Sequence, residues 1–133
     1  MATLETLTKL TQKKLEDIQK RIVALDMELA ALAAAEGLLK EQIGAGYDVA
    51  KQVDVMAGYQ DAGAFIRRAE QEQEEIDKRR TELTEKKEGL LMDMRTLFSE
   101  KKRYEVLWDA QKEQEKRARL KKNQESLEDL TNR

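Results

Sequence analysis

IDKRRTELTEKKEGLLMDMRTLFSEKKRYEVLW, residues Ile76 to Trp108, decides the fold. Ile76, Leu83, Leu90, Leu97 and Tyr104 recur every seven residues, and Arg80, Lys87, Met94, Lys101 and Trp108 form a second row between them. The combined three-four spacing keeps one stripe of a slightly under-wound helix turned toward a partner. One row is apolar and the other mostly cationic, so the seam is thin. It can hold one partner helix, not the broad apolar face of a globular core. Lys87 and Lys101 can lay their stems along such a seam and keep their ammonium groups in water.

Upstream, Leu15, Ile18, Ile22, Leu25, Leu29 and Leu32 follow the same spacing; Glu36 breaks the row, and Leu39 and Ile43 resume it. Thr3 is placed to cap this first helix, with Glu5 in its first turn near the positive end of the dipole. The run Ala31 to Gly37, ALAAAEG, has almost no bulk, and the closest approach of two helices is expected there. Four of the six Gly, at 44, 46, 58 and 63, lie in one segment. Each costs a helix interior about 1 kcal/mol relative to Ala, so the chain is expected to reverse in this segment. Val49, Val53 and Met56 keep helical spacing, which favours a first helix over about 3–56, a turn over about 57–62 and a second helix over about 63–120, capped by Asp61. The last residues, about 121–133, have no firm stripe and would outrun the first helix; they are expected to fray. The fold class is all-α: one domain, a long antiparallel two-helix coiled-coil hairpin with limbs of roughly 80 Å at about 1.5 Å per residue.

Composition fits this reading. The 133 residues are 39% charged and 5% aromatic, without Pro, Cys or His, and are rich in the residues of long helices. The formal net charge of −2 gives no strong field for nucleic acid or a membrane. Residues 61–100 carry eight Lys/Arg against eleven Asp/Glu, while residues 101–133 carry ten against seven, so the basic end is C-terminal. Acidic residues interrupt it at Glu105, Asp109, Glu113 and Glu115, the pattern of a solvated helix face rather than a nucleic-acid surface. Absent Cys, no disulfide is possible. The N-terminus lacks a signal-peptide layout, and no apolar run approaches the ~20 residues of a membrane span. A cytoplasmic, soluble protein is expected. No His, Cys, phosphate loop or metal-ligand spacing is present, so neither an enzyme nor a cofactor is expected.

Leu91, Phe98, Tyr104 and Leu107 widen the stripe before Trp108, the lone Trp. They either broaden the seam or form a strip for a partner, and Trp108 is either a seam residue or a docking anchor. Tyr47, Tyr59 and Phe65 flank the Gly segment, either stapling the turn or binding.

The passage Gly63-Ala64-Phe65-Ile66-Arg67-Arg68-Ala69-Glu70 and the later Lys102-Arg103-Tyr104-Glu105-Val106-Leu107-Trp108, with the length and hairpin layout, resemble the FliJ family of flagellar type III export proteins. The resemblance covers nearly the whole chain. It implies a cytoplasmic stalk, shaped like the coiled-coil rotor of rotary ATPases. Such a stalk binds the hexameric export ATPase, reaches the cytoplasmic domain of the export gate at the inner membrane, and handles substrate chaperones. By matching position, Gln42, Tyr47, Phe65 and Ala69 fall on the gate-docking surface; the family often has a large apolar residue where this chain has Ala69. Leu4, Leu7, Leu107 and Trp108, together with the basic Lys101, Lys102 and Arg103, fall at the ATPase end. The alternatives are the equivalent stalk of a virulence injectisome and a plain structural coiled coil that dimerises in parallel.

Overall fold

The computed structural model describes residues 3–52 and 56–132, with side chains at 50, 52 and 56–61 outside the description. The described chain is all-helical: α1 is Leu4–Gln52 and α2 is Met56–Thr131. By its contacts the chain divides into two units, Met1–Ile18 with Met92–Arg133, and Gln19–Leu91. Each unit takes one segment from each helix, and the two segments pack together. Unit 1 denotes the first and unit 2 the second.

The start of α1 follows from Thr3. Its Oγ1 accepts a hydrogen bond from Thr6 N at 3.1 Å, and its carbonyl accepts the amide of Leu7. One otherwise orphaned N–H of the first turn is thus satisfied by the side chain.

In unit 2 the least exposed positions of α1 are Ile22, Leu25, Leu29, Leu32, Glu36, Leu39, Ile43 and Gly46. Those of α2 include Ile66, Ala69, Gln73, Ile76, Arg80, Leu83, Lys87 and Leu90. Both sets keep the three-four spacing seen in the sequence. Leu83 is 1% exposed, Ala69 3% and Leu39 4%, so the seam of this unit is deepest at these positions. In unit 1, Thr11, Leu15 and Ile18 are buried, and Met94, Leu97, Lys101, Tyr104 and Trp108 are half-buried. Thr11 satisfies its hydroxyl within its own helix, donating to the Leu7 carbonyl at 2.8 Å. Burial of this polar residue therefore leaves no orphaned group.

Three expectations need correction. The segment 57–62 is helical and belongs to α2, which begins at Met56, so Asp61 is no N-cap. The gap between the helices is residues 53–55, which lie outside the described residues. The described glycines all have ordinary negative φ: Gly44 and Gly46 sit inside α1 and Gly63 inside α2. Helical hydrogen bonding carries them, and the break between α1 and α2 falls inside the segment that they bracket, as expected. The run at Ala31–Gly37 is not the place of deepest burial, because Ala31 and Ala33 to Ala35 are exposed. Its seam positions are Leu32 and Glu36, and the small residues occupy the outer face. Finally, α2 continues through residues 121–131, where fraying was expected. Glu, Lys, Arg, Gln, Ala and Leu are strong helix formers, and Glu113 adds an i,i+4 pair with Arg117 at 3.4 Å.

Candidate functional site

Two surfaces stand out, one in each unit. In unit 2, Leu39, Gln42, Phe65, Arg68, Ala69 and Glu72 line a recess of about 120 Å³. Its floor is buried: Leu39 and Ala69 are seam residues, 4% and 3% exposed. Gln42, Arg68 and Glu72 stand exposed around it. Phe65 supplies an aromatic wall that is itself 38% exposed. The space is well below the roughly 300–1,000 Å³ of small-molecule sites. An apolar floor with a mixed polar rim suits one side chain of a protein partner.

Phe65 is held by a missing side chain. A Cβ placed on Gly46 would lie 3.1 Å from the Phe65 ring, whereas one on Gly37, Gly44, Gly63 or Gly89 would meet open space. The ring rests against the bare backbone of α1 at Gly46. Close approach, rather than turning, is the use of this glycine.

Three of the four residues matched to gate docking, Gln42, Phe65 and Ala69, therefore share one recess. Tyr47 is exposed on α1 of the same unit and does not line it. Ala69 contributes floor rather than rim, so a small residue here leaves the recess open. Glu72 was not singled out in the sequence, and Leu39 and Arg68 were read as a seam residue and as part of the quoted passage, not as site residues. Their signal was present: 65, 68, 69 and 72 are three and four residues apart on one helix.

In unit 1 an open groove of about 520 Å³ is lined by Thr8, Lys9, Gln12, Lys13, Glu16 and Lys101. Lys101 donates to Gln12 Oε1 at 2.7 Å across the helices and lies 3.8 Å from Glu105 on its own helix. The residues matched to ATPase binding all fall in this unit. Leu4, Leu7, Lys101 and Trp108 are half-buried, while Lys102, Arg103 and Leu107 are exposed. The Lys112 ammonium sits 3.9 Å from the centre of the Trp108 ring, a cation–π contact one helical turn along α2. Phe98 and Leu107 are each 48% exposed; nine residues apart on one helix, they flank the seam on opposite sides rather than form one strip. Beyond Trp108, every side chain from Asp109 to Asn132 is exposed.

Sequence reading also missed the ion pairs across the seam of unit 2. Arg80 pairs with Glu36, Lys87 with Asp26 at 2.6 Å, and Arg79 with Glu28 at 3.2 Å. Glu36, the residue that breaks the apolar row, is a half-buried member of the seam that faces a cation. Among the described residues no group of His, Cys, Asp or Glu could hold a metal ion, and no helix is long and apolar enough to cross a membrane. No family model matches the chain, and neither a curated protein nor a solved structure does.

Proposed function

We propose that this chain is a non-enzymatic, antiparallel two-helix coiled-coil stalk of the FliJ type. In this reading it joins the hexameric ATPase of the flagellar export apparatus to the cytoplasmic domain of the export gate, escorts substrate chaperones, and sits peripherally at the inner membrane through those partners. The order of the cross-helix pairs favours antiparallel packing. In unit 2, Asp26 pairs with Lys87 and Glu36 with Arg80, so positions rise on α1 as they fall on α2.

The observation that carries the functional reading is the shared recess of Gln42, Phe65 and Ala69. Residues brought together only by the resemblance converge on one small apolar hollow, with an aromatic beside it. Aromatic side chains in such settings often dominate protein interfaces. The residues assigned to the ATPase lie in the other unit, so the two binding functions are separable by mutation.

Phe65→Ala and Trp108→Ala test this. Each variant is checked for helical content by circular dichroism and then used in pull-downs of the export ATPase and of the gate's cytoplasmic domain. Phe65→Ala should weaken gate capture and spare the ATPase, and Trp108→Ala should do the reverse. Two folded variants that capture both partners as the parent does would remove the basis of the proposal.

A further inference from the structure

Between Lys20 and Glu41, α1 carries a second stripe on the side turned away from its seam. Val23, Met27, Ala30, Ala34 and Leu38 follow three-four spacing, with Ala31 beside them. At about 100° per residue, all six project within about 100° of one another, opposite the seam row of Ile22, Leu25, Leu29, Leu32, Glu36 and Leu39. Val23, Met27 and Leu38 are 58%, 69% and 57% exposed, and the three Ala are exposed as well. The chain is 39% charged, yet this face holds no charge between Lys20 and Glu41. The charged residues in that interval are Arg21, Asp26, Glu28, Glu36 and Lys40, and by the same spacing they sit on the seam's half of the helix. Asp26, Glu28 and Glu36 pair there with Lys87, Arg79 and Arg80 of α2. Single exposed apolar side chains are ordinary, but a contiguous uncharged strip of this kind marks a contact surface. Lys20 and Glu41 lie on the same face as the strip and close its two ends. Among the described residues neither takes part in an ion pair.

From this order of charge and bulk, we infer that residues 20–41 pair with the same segment of a second copy, antiparallel, about a two-fold axis between Ala30 and Ala31. That arrangement sets Lys20 beside Glu41 of the second copy, Val23 beside its Leu38, Met27 beside its Ala34 and Ala30 beside its Ala31. Each contact occurs twice by symmetry. Met27 fills the space that Ala34 leaves, and the central Ala residues let the two helix axes approach. A parallel pair would set Lys20 on Lys20 and Glu41 on Glu41, which repels. It would also put Met27 on Met27 and Ala34 on Ala34, crowding one level and leaving a void at the other. Sliding the antiparallel pair by one heptad places a charge on the apolar strip, Glu41 against Met27 or Lys20 against Ala34. Charge complementarity therefore specifies the second copy, its direction and its register. The overlap of about 22 residues is ~33 Å of helix. It uses none of the residues assigned to the ATPase or the gate.

The test uses the full-length chain in sedimentation equilibrium. The parent should show a concentration-dependent dimer. Met27→Glu, at a site that the hairpin's own seam does not use, should raise the dimer dissociation constant by about tenfold or more. Lys20→Glu and Glu41→Lys should each raise it by about threefold or more, since like charges then meet at both ends. Combining the two exchanges should restore the dimer, because complementarity returns only in an antiparallel pair of identical segments. Circular dichroism checks that each variant keeps its helices. Disulfide trapping reads the direction independently, since the chain has no Cys. Mixed Val23→Cys and Leu38→Cys chains should cross-link to each other. Neither should cross-link with itself, because like positions then lie about fifteen residues apart, ~22 Å along the axis. A parent that stays monomeric at high concentration overturns the inference. So does a dimer indifferent to Met27→Glu, failure of the doubly exchanged variant to recover, or cross-linking of either Cys variant with itself.

Discussion

Units 1 and 2 answer the same difficulty in different ways. Each has polar residues on a helix stripe that must face another helix. In unit 2 the cations at seam positions meet acids on the opposite helix: Arg80 meets Glu36, and Lys87 meets Asp26. In unit 1, Lys101 reaches a neutral amide, Gln12, across the helices and takes its carboxylate from Glu105 on its own helix. Thr11 turns its hydroxyl back onto its own backbone. The heptad repeat alone does not distinguish the two solutions. Cross-helix charge ties a particular α1 residue to a particular α2 residue, whereas locally satisfied polar groups leave the pairing to apolar contacts.

The largest expected effect tests what the units share. Leu15 and Leu83 are each 1% exposed, so Leu15→Ala and Leu83→Ala should each destabilise the protein by about 2–4 kcal/mol. Leu25 and Leu90 are only half-buried, and their Ala variants should cost about 1–3 kcal/mol. Chemical denaturation measures both. If Leu83→Ala proved no more damaging than Leu90→Ala, burial would not be the quantity that ranks seam positions.

Next comes the Glu36–Arg80 pair. Glu36→Ala leaves the partly buried Arg80 guanidinium with only Asp77 of its own helix, at 3.4 Å, and a loss of about 1–2 kcal/mol is expected, below the 3–5 of a fully buried pair because the Arg80 side chain is 38% exposed. Replacing both residues with Leu should recover that loss or exceed it, since a close-packed apolar pair can match a buried ion pair. A double-mutant cycle read by urea melts separates these contributions. Zero coupling between the two sites would mean that their charge does not contribute to the pairing.

Much of this was legible in the sequence. The three-four spacing of Ile76 to Trp108 identifies the seam side of α2 almost residue by residue, and Thr3 locates the start of α1. The break between the helices was expected in the right glycine-bearing segment but a few residues late, at 57–62 rather than before Met56, because glycine propensity is a weak local signal that continuous helical hydrogen bonding overrides. The Ala run misled for a related reason: small residues bring helices together only when they lie on the seam, and these lie outside it. Glu36 is the most instructive. As one residue in one helix it reads as an interruption; only with Arg80 placed opposite does it become a component. Pairwise facts of this kind need the alignment of two helices, which a single periodicity does not supply. The recess at Phe65 was legible only in part, since the role of Gly46 requires knowing which ring lies over it.

Glycines offer a smaller effect. Gly44→Ala enters open space and should stabilise α1 by about 0.5–1 kcal/mol. Gly46→Ala gains the same propensity but meets the Phe65 ring at 3.1 Å, so its net gain should be smaller or negative. In a Phe65→Ala background the two glycine sites should become equivalent by thermal melt. If Gly46→Ala already matched Gly44→Ala in the parent, the ring would not be seated there.

The smallest effect goes furthest toward separating the units. Lys87→Leu and Lys101→Leu each exchange a half-buried cation for an apolar side chain on the same stripe. Both extend the apolar seam, and both should therefore stabilise the protein. They differ in what they leave behind. Lys87→Leu removes the partner of Asp26, an acid on the opposite helix whose side chain is 48% exposed. An exposed pair of this kind contributes about 0–1 kcal/mol, and that is forfeited. Lys101→Leu leaves only an amide and an exposed carboxylate on its own helix, both of which water can satisfy. The gain at Lys101 should therefore exceed the gain at Lys87 by up to about 1 kcal/mol. Raising the salt should shrink the difference, because screening weakens the Asp26–Lys87 attraction in the parent and leaves burial untouched. Thermal melts of both variants at low and high salt are sufficient. Equal gains at both salts would mean that the cross-helix acid at Asp26 does nothing for unit 2, and the contrast between the two seams would reduce to their apolar residues.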